Sequence, residues 1–362
     1  MRMRIAQGLE LPGLETERSQ AAYFHDEAVF QLTTAKQHHG SYNESDAIAA
    51  LHLVSYSQMS GCKDDWQRIY AVACEWVAQT GLFLEDSNPR RIFDGLSSTG
   101  QLIVKITLWI DVFSSLTLIR PPRYLRVCRQ LLGGDHHSDF WTPTGGLRMD
   151  KVTGCPDEAL LCIAETSALA HWKAAEKRNS TLSVRELIRR GDVIEQRLRQ
   201  QQTDLSDGRE TPSSPLHPAL ASTSTPEAEA TNTLTEGTRR IVADLFQEAA
   251  VLYLHTVLSE CNPGVPEIHT CVDNIVSYLN QIPPSETDRG LMFPICLAGA
   301  MTDDSRIRAF FKRRLALRDE GLGNIPHCRI LVEGVWQKRD CDGVPVDLRE
   351  TAQACNLNLL LV

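Results

Sequence analysis

Residues 99–120, TGQLIVKITLWIDVFSSLTLIR, contain no Gly or Pro after Gly100, and an uninterrupted stretch of this length predicts a helix. Apolar side chains would occupy every face of that helix, which predicts burial on all sides, either in a large core or in a membrane. Lys105 and Asp111 favour the core, because a charge near the centre of a bilayer costs about 2.5–3.5 kcal/mol. Pro121-Pro122 ends the helix. We therefore predict the central helix of a large helical domain.

Apolar residues at helical spacing predict further helices on both sides, and no stretch shows the sustained two-residue alternation of strands. The predicted helices cover residues 16–36, 43–59, 63–80, 156–177, 183–199, 238–257, 266–282, 291–301, 302–315 and the surroundings of 330–336, with shorter segments after Asn88-Pro89 and over 124–132. A chain of 362 residues with 42% hydrophobic residues can bury a sizeable core. We predict an all-α fold, a large helical array or bundle.

Residues 201–236 have a different composition, crowded with Ser, Thr, Pro and Ala, with six acidic residues against one Arg and a local charge of −5. Such a segment cannot bury enough apolar surface to offset its ordering entropy. We predict a disordered Ser/Thr/Pro-rich acidic insertion that acts as a linker. The chain then divides into a flexible lead-in (1–16), an N-terminal helical half (17–200), the disordered linker (201–236) and a C-terminal helical half (237–362) that packs on the first.

Two motifs resemble phosphate or metal sites only in part. Residues 95–102 have the glycine spacing of a phosphate-binding loop, but Gln101 and Leu102 stand where Lys and Ser/Thr are required, so we predict a polar cap of the central helix. Asp64-Asp65 and Asp303-Asp304 resemble the acidic pairs that hold magnesium in all-α diphosphate enzymes, but each lacks a third acid. For Asp303-Asp304, charges matched to a helix dipole explain the pattern without a metal, with Thr302 as the cap and with basic residues towards the other end of the helix: Lys312, Arg313, Arg314 and Arg318.

The remaining polar clusters are weaker candidates for binding sites. His136, His137 and Asp139 are the densest potential ligands, with no Cys or His pair at zinc spacing nearby. Arg120 and Arg123 flank two prolines and suit either an anion or a solvated turn, of which we favour the turn. The sequence contains no H-E-x-x-H, C-x-x-C or G-x-S-x-G motif. We predict no catalytic, cofactor-binding or metal-binding residue.

The net charge of −9 provides no basic footprint for nucleic acid. Eleven cysteines are scattered singly, which argues against a disulfide framework and fits a reducing compartment. The first residues lack the apolar run of a signal peptide, and we expect none.

Several blocks resemble the fungal-specific transcription factor domain, which is found downstream of zinc-cluster DNA-binding domains. They include ADLFQEAAVLYLHTVLSECNPGVPEI at 243–268, QIPPSETDRGLMFPICLAGAMTDDSRIRAFF at 281–311, and the closing residues 356–362. KITLWIDVFSSLTLIRPPRYL at 105–125 and WQRIYAVACEWVAQTGL at 66–82 are similar to the same family. The blocks follow one another in the order expected for the family, over nearly the whole chain.

The resemblance implies a regulatory, middle-homology-type domain of a nuclear regulator of RNA polymerase II transcription, not an enzyme. It implies self-association or coactivator contacts, and response to a small-molecule effector in an apolar helical pocket. In that family a six-cysteine cluster holding two zinc ions reads DNA. Here the first cysteine is Cys62 and the closest pair is Cys155 and Cys162. We therefore expect no cofactor, no zinc, no membrane and no direct DNA binding by this chain.

Two alternatives stay open. An all-α enzyme that handles diphosphates would need a third carboxylate beside one of the acidic pairs, facing a common cavity. A helical scaffold that binds partner proteins through its grooves would form stable cytoplasmic complexes and have no nuclear pool.

Overall fold

The computed structural model describes residues 14–59, 65–133, 146–207, 226–284, 286–316, 324–355, 357 and 359–361. Within these ranges all regular structure is helical, which confirms the predicted all-α class. Fifteen α-helices lie in the described part of the chain, with one 3₁₀ helix at Glu286–Leu291.

The first eight α-helices are α1 (Leu14–His39), α2 (Glu44–Met59), α3 (Trp66–Gln79), α4 (Pro89–Gly95), α5 (Ser98–Thr117), α6 (Leu125–Leu132), α7 (Asp150–Thr153) and α8 (Asp157–Arg178). The others are α9 (Val184–Asp207), α10 (Pro226–Leu258), α11 (Pro266–Gln281), α12 (Met292–Ala300), α13 (Ser305–Ala316), α14 (Ile325–Asp342) and α15 (Leu348–Ala354). Helices α9 and α10 extend into both ends of the predicted insertion. Its middle, residues 208–225, lies outside the described residues, as do residues 1–13 of the predicted lead-in.

Side-chain caps fix the starts of several helices. Asn43 and Asp46 form a reciprocal box before α2: Asp46 N donates to Asn43 Oδ1 at 3.0 Å, and Asn43 N donates to Asp46 Oδ2 at 2.9 Å. Asp65 caps α3 by accepting from Arg68 N at 3.4 Å. These bonds satisfy backbone N–H groups that the first turn of a helix leaves unpaired.

Helix α5 is buried along most of its length, as predicted, and packs against α2, α3, α8 and α15. A series of aromatic contacts joins it to helices from later in the chain. Trp109 lies 5.9 Å from Phe246 of α10, and Phe113 lies 5.1 Å from Phe293 of α12, between ring centroids. Such pairs add about 0.5–1.5 kcal/mol each beyond the area they bury. The core is thus continuous from α5 to the helices that follow residue 226.

Helix α8 packs against α10 along its length, and this contact joins helices from either side of residues 208–225. Ser167 and Tyr253 have hydroxyl oxygens 3.3 Å apart across the contact. The ammonium of Lys173 donates to the carbonyl oxygen of Val257, near the end of α10.

The closing residues lie inside the helical array. Leu359, Leu360 and Leu361 are buried, which contributes roughly 1.5–3 kcal/mol per side chain. Thr117 Oγ1 donates to Leu359 O at 2.7 Å, and Asn324 Nδ2 donates to Leu360 O at 2.8 Å. The segment thereby links the end of α5 to the start of α14.

Within the described residues, one stretch, Glu236–Leu258 of α10, is long and apolar enough to cross a bilayer by length and composition alone. A core helix passes the same test. In this structure α10 packs on α8, α9, α11 and α12, and 56% of the stretch is buried.

Candidate functional sites

The glycine-containing loop before α5 caps that helix, as predicted. Ser97 Oγ accepts from Gly100 N at 2.8 Å and donates to the Glu44 carboxylate at 2.9 Å. A Cβ atom at Gly100 would lie 3.3 Å from the Trp76 ring, so close packing explains this glycine. The loop's polar groups serve the helix start and its contact with α2.

The two acidic pairs serve helix starts and ion pairs. Asp65 caps α3, and Asp64 lies outside the described residues. Asp303 Oδ1 accepts from Arg308 Nη2 at 2.7 Å and from Arg339 Nη1 at 2.8 Å. Among the described residues, no three His, Cys, Asp or Glu side chains come together as a metal site would require.

The predicted cap of α13, Thr302, was wrong by two residues. Asp304 Oδ1 accepts from Arg306 N at 2.7 Å and from Ile307 N at 3.3 Å, so Asp304 is the capping residue. Thr302 Oγ1 accepts only from Asp304 N, at 3.2 Å, and supports the bend before the helix.

Arg120 lies against the central helix, and its prediction as part of a solvated turn was wrong. Its Nη2 donates to Asp111 Oδ1 and to Ser114 Oγ, both at 2.9 Å. Ile119, with φ of 46°, turns the chain back so that the guanidinium reaches the carboxylate. Asp111 is fully buried and also accepts from Tyr124 N at 3.0 Å. Burial raises the pKa of Asp111, and the Arg120 charge opposes that rise.

The remaining residues of the polar clusters named from sequence do not form a site in the described part of the chain. Arg123 is exposed. His136, His137 and Asp139 lie outside the described residues.

Arg314 forms a buried structural site that the sequence reasoning missed. It was predicted to complement the dipole of its own helix, α13. Instead its guanidinium donates to Leu279 O at 2.6 Å, to Ile282 O at 3.1 Å and to Asp288 Oδ1 at 2.7 Å. It therefore supplies donors to two carbonyls at the end of α11, where regular intrahelical hydrogen bonds stop. The available signal was its position seven residues after Ile307, on the apolar side of α13.

A small interior cavity lies where α5, α10 and the closing residues meet. Its volume is about 20 Å³, enough for roughly one water molecule. Leu116, Phe293 and Leu361 line its apolar side, and Arg349, held by the Asp347 carboxylate at 2.5 Å, borders it. This cavity is too small for a metabolite.

A second concavity, an open groove of about 300 Å³, lies between α8 and α9 with the end of α6 beside it. We call it the arginine groove, because four of its lining residues are arginines whose side chains are 39–64% exposed: Arg129, Arg189, Arg190 and Arg197. At its floor the buried Glu165 accepts from Arg129 Nε at 2.9 Å and from Arg197 Nη1 at 2.6 Å.

The other two arginines are held at the rim of the arginine groove. Both pair with Glu186, at 2.7 Å. The Arg190 guanidinium also lies 4.0 Å above the Trp172 ring. The sequence predicts this helix at residues 183–199, but not that a buried glutamate from α8 meets its arginines.

The described residues thus define a helical domain whose polar groups cap helices, pair inside the core and line one charged groove. Its family follows from comparison with known proteins: the model of the fungal specific transcription factor domain matches residues 8–362, and the chain belongs to that family.

The curated relatives are fungal regulators. The chain is 27% identical to the transcription factor dibT of Pestalotiopsis microspora over 66% of this chain and 37% of that protein. It is 28% identical to the ustiloxin B cluster transcription factor ustR of Aspergillus flavus, over 65% and 37%. It is 24% identical to the trichothecene biosynthesis transcription regulator TRI10 of Fusarium sporotrichioides, over 55% and 41%. The chain thus spans about two fifths of the length of these relatives. No solved structure matches it.

Proposed function

We propose that this chain is the regulatory domain of a fungal transcription regulator that acts in the nucleus on RNA polymerase II transcription. The observation that carries the proposal is the family match over residues 8–362, joined by relatives that are named as transcription factors or regulators. In this proposal the chain is not an enzyme. The described Asp303 and Asp304 support this, since both are engaged in a cap and in ion pairs with arginine.

We further propose that specific DNA binding, and the zinc that supports it, come from a cysteine cluster outside this chain. The acidic charge of −9 supports this division, because affinity for DNA depends on neutralising phosphates with Lys and Arg. Two relatives are named for the ustiloxin B cluster and for trichothecene biosynthesis. Their names favour genes of a biosynthetic cluster as the targets of the regulator that contains this domain.

The test is a reporter assay in a filamentous fungus. The chain is fused to a heterologous DNA-binding domain with a fluorescent tag, and transcription from the matching promoter is compared with that of the DNA-binding domain alone. We expect a nuclear signal and a change in transcription of about fivefold or more, which corresponds to a coupling free energy of about 1 kcal/mol. A stable cytoplasmic complex with no nuclear pool would instead support the scaffold alternative.

The placement of DNA binding has its own test. The purified chain without a fusion partner is titrated into labelled duplexes at two salt concentrations. We expect no preference between sequences. Sequence-specific retention of one duplex would contradict the placement of this activity outside the chain.

A further inference from the structure

We infer that the arginine groove is a binding site for a small organic anion, with a carboxylate or phosphate group attached to an apolar body. This inference stands apart from the transcriptional role, because it concerns binding by the purified chain. The proposed ligand site is a charged surface groove and not an apolar interior pocket, because the described interior cavity near Leu361 has a volume of only about 20 Å³.

The charge of the groove favours an anion. Four guanidinium groups line it, and the facing carboxylates are Glu165 at its floor and Glu186 at its rim. These six groups carry a net charge of +2 within a chain of net charge −9. A concave surface with low-dielectric walls concentrates such a field and raises the local concentration of the opposite charge.

Two of the arginines are oriented by the protein yet retain free donors. Glu165 holds Arg129 through its Nε group and Arg197 through its Nη1 group. Among the described residues, the Nη groups of Arg129 and the Nε and Nη2 groups of Arg197 make no other hydrogen bond. A guanidinium can bind carboxylate or phosphate through two parallel hydrogen bonds. Because Glu165 already fixes both side chains, a ligand loses little of its binding energy to ordering them.

The rest of the lining suits an apolar body. Leu169 and Ile194 are buried at the groove, while Ala168 is half-buried and Val193 is 43% exposed. An apolar surface with a few convergent polar groups is the usual composition of a small-molecule site. A ligand with one acid group could therefore place its acid on Arg129 and Arg197 and its apolar part on Val193.

The size of the groove favours a small molecule over a helical peptide. Its lining on α9 runs from Arg189 to Arg197, about 12 Å along the helix axis at 1.5 Å per residue. The anchors of a docked amphipathic helix, at i to i+7, span about 10.5 Å and would take up nearly all of this length, so it is the volume of the groove that favours a small molecule. The volume of about 300 Å³ lies at the lower end of the range for small-molecule sites.

The test measures binding of 2-naphthoate to the full chain by isothermal titration calorimetry, with 2-naphthalenemethanol as the neutral analogue. Val193→Glu places a negative charge at the groove edge without removing a buried contact. The matched control is Val184→Glu on the same helix, which is 64% exposed and lies outside the groove lining. Val184 lies about 13 Å from Val193 along the helix axis, which exceeds the screening length of about 8 Å at physiological salt.

We expect naphthoate to bind more tightly than the alcohol. Val193→Glu should weaken naphthoate binding about tenfold or more, which is the factor that corresponds to one charge-assisted hydrogen bond. Val184→Glu should leave naphthoate binding unchanged within about twofold. Arg129→Gln should also weaken it about tenfold, while Glu165 keeps Arg197 as its partner. Thermal melts of each variant check that the fold is retained.

The inference is overturned if the alcohol binds as tightly as naphthoate, or if Val193→Glu and Val184→Glu bind naphthoate equally well. Binding of an acidic amphipathic peptide without any binding of naphthoate would also overturn it, in favour of a protein partner. Displacement of naphthoate by inorganic phosphate would support phosphate esters as ligands. None of these outcomes bears on the reporter assay, so the two proposals fail separately.

Discussion

Asp111 places a charge in the centre of the molecule, and Arg120 is the charged side chain that donates a hydrogen bond to it. Arg120→Met removes that partner and leaves the carboxylate with Tyr124 N as its remaining backbone donor. Breaking a buried pair costs about 3–5 kcal/mol, and the 22% exposure of Arg120 favours the lower end of that range. We therefore expect the free energy of unfolding to fall by about 3 kcal/mol in urea titrations.

Arg123→Met serves as the control for this change. Arg123 is exposed, and its loss should change the free energy of unfolding by no more than about 0.5 kcal/mol. Asp111→Asn added to Arg120→Met should recover part of the loss, because it removes the uncompensated charge. Equal effects of the two arginine substitutions would show that the Asp111–Arg120 pair has no special weight.

Asp157 makes the free energy of unfolding depend on pH. Its carboxylate is buried at the start of α8 and accepts from Met149 N at 2.7 Å and Arg148 N at 3.0 Å. Burial raises its pKa and these hydrogen bonds oppose the rise. Between the unfolded pKa of about 3.9 and the raised folded pKa, the folded state binds more protons, so this group stabilises the fold as the pH falls. Urea titrations at pH 7 and at about pH 4, near the unfolded pKa values, should show that wild type gains stability relative to Asp157→Asn at the lower pH.

Glu260 supplies a control of opposite sign. Hydrogen bonds from Lys177 and Lys173 lower the pKa of Glu260, so the stability it contributes is present above the unfolded pKa and lost as the pH falls. The difference between wild type and Glu260→Gln should therefore shrink at low pH. If both differences moved in the same direction, the assigned direction of the Asp157 shift would be wrong.

Single residues were predictable from sequence where the partner is local. From sequence, Asn43 or Ser45 suits the cap of α2 and residues 95–102 suit the cap of α5, because the groups they satisfy lie within a few residues. In the structure Asn43 caps α2 and Ser97 caps α5. Glu165 meets Arg129 across 36 residues and Arg197 across 32. No local pattern encodes such a meeting, since it depends on how helices cross. The arginine groove could therefore not be predicted from the sequence.

At the scale of helices and their connections, Gly154 shows how a turn limits packing. Gly154 and Gly343 both end helices with left-handed backbone, at φ of 79° and 67°. A Cβ atom at Gly154 would lie 2.8 Å from Val242 Cγ1 of α10, whereas one at Gly343 meets nothing within 4 Å. Gly343→Ala should cost about 1–2 kcal/mol for backbone strain. Gly154→Ala should cost about 1–3 kcal/mol more, because the added methyl group overpacks the contact with α10.

Urea titrations of the two glycine variants check this difference, with Gly343→Ala as the matched control. A further Val242→Ala substitution makes room and should bring the effect of Gly154→Ala close to that of Gly343→Ala. Equal losses in the two single variants would mean that the turn before α8 yields without strain.

Helix existence was predictable and some helix lengths were not. Long apolar stripes predicted α5, α8 and α11 to within a few residues. The four-residue α7 and seven-residue α15 are too short to show a stripe. Helix α10 begins at Pro226, inside the segment 201–236 that composition marks as the insertion, because composition locates such a segment without fixing where the flanking helices end.

At the scale of the whole molecule, the two predicted halves share one core. The buried faces of α8 and α10 meet, and α5 contacts both α8 and α15. Leu160, Ile163, Leu245 and Leu252 are fully buried, and separation of the halves would expose the surfaces that cover them. An exposed Leu or Ile side chain forfeits roughly 1.5–3 kcal/mol, so a few such residues exceed the stability of a typical domain.

We therefore expect neither half to fold alone. Residues 1–216 and 217–362 are produced as separate fragments, a division that cuts none of the described helices. Each fragment alone should bind a hydrophobic dye and melt without a cooperative transition, as loosely packed helical states do. Mixing the two should restore a single cooperative melt close to that of the intact chain, because α8 regains its contact with α10. A sharp cooperative transition in either fragment by itself would show that the halves are independent domains and that the α8–α10 contact is an interface between them.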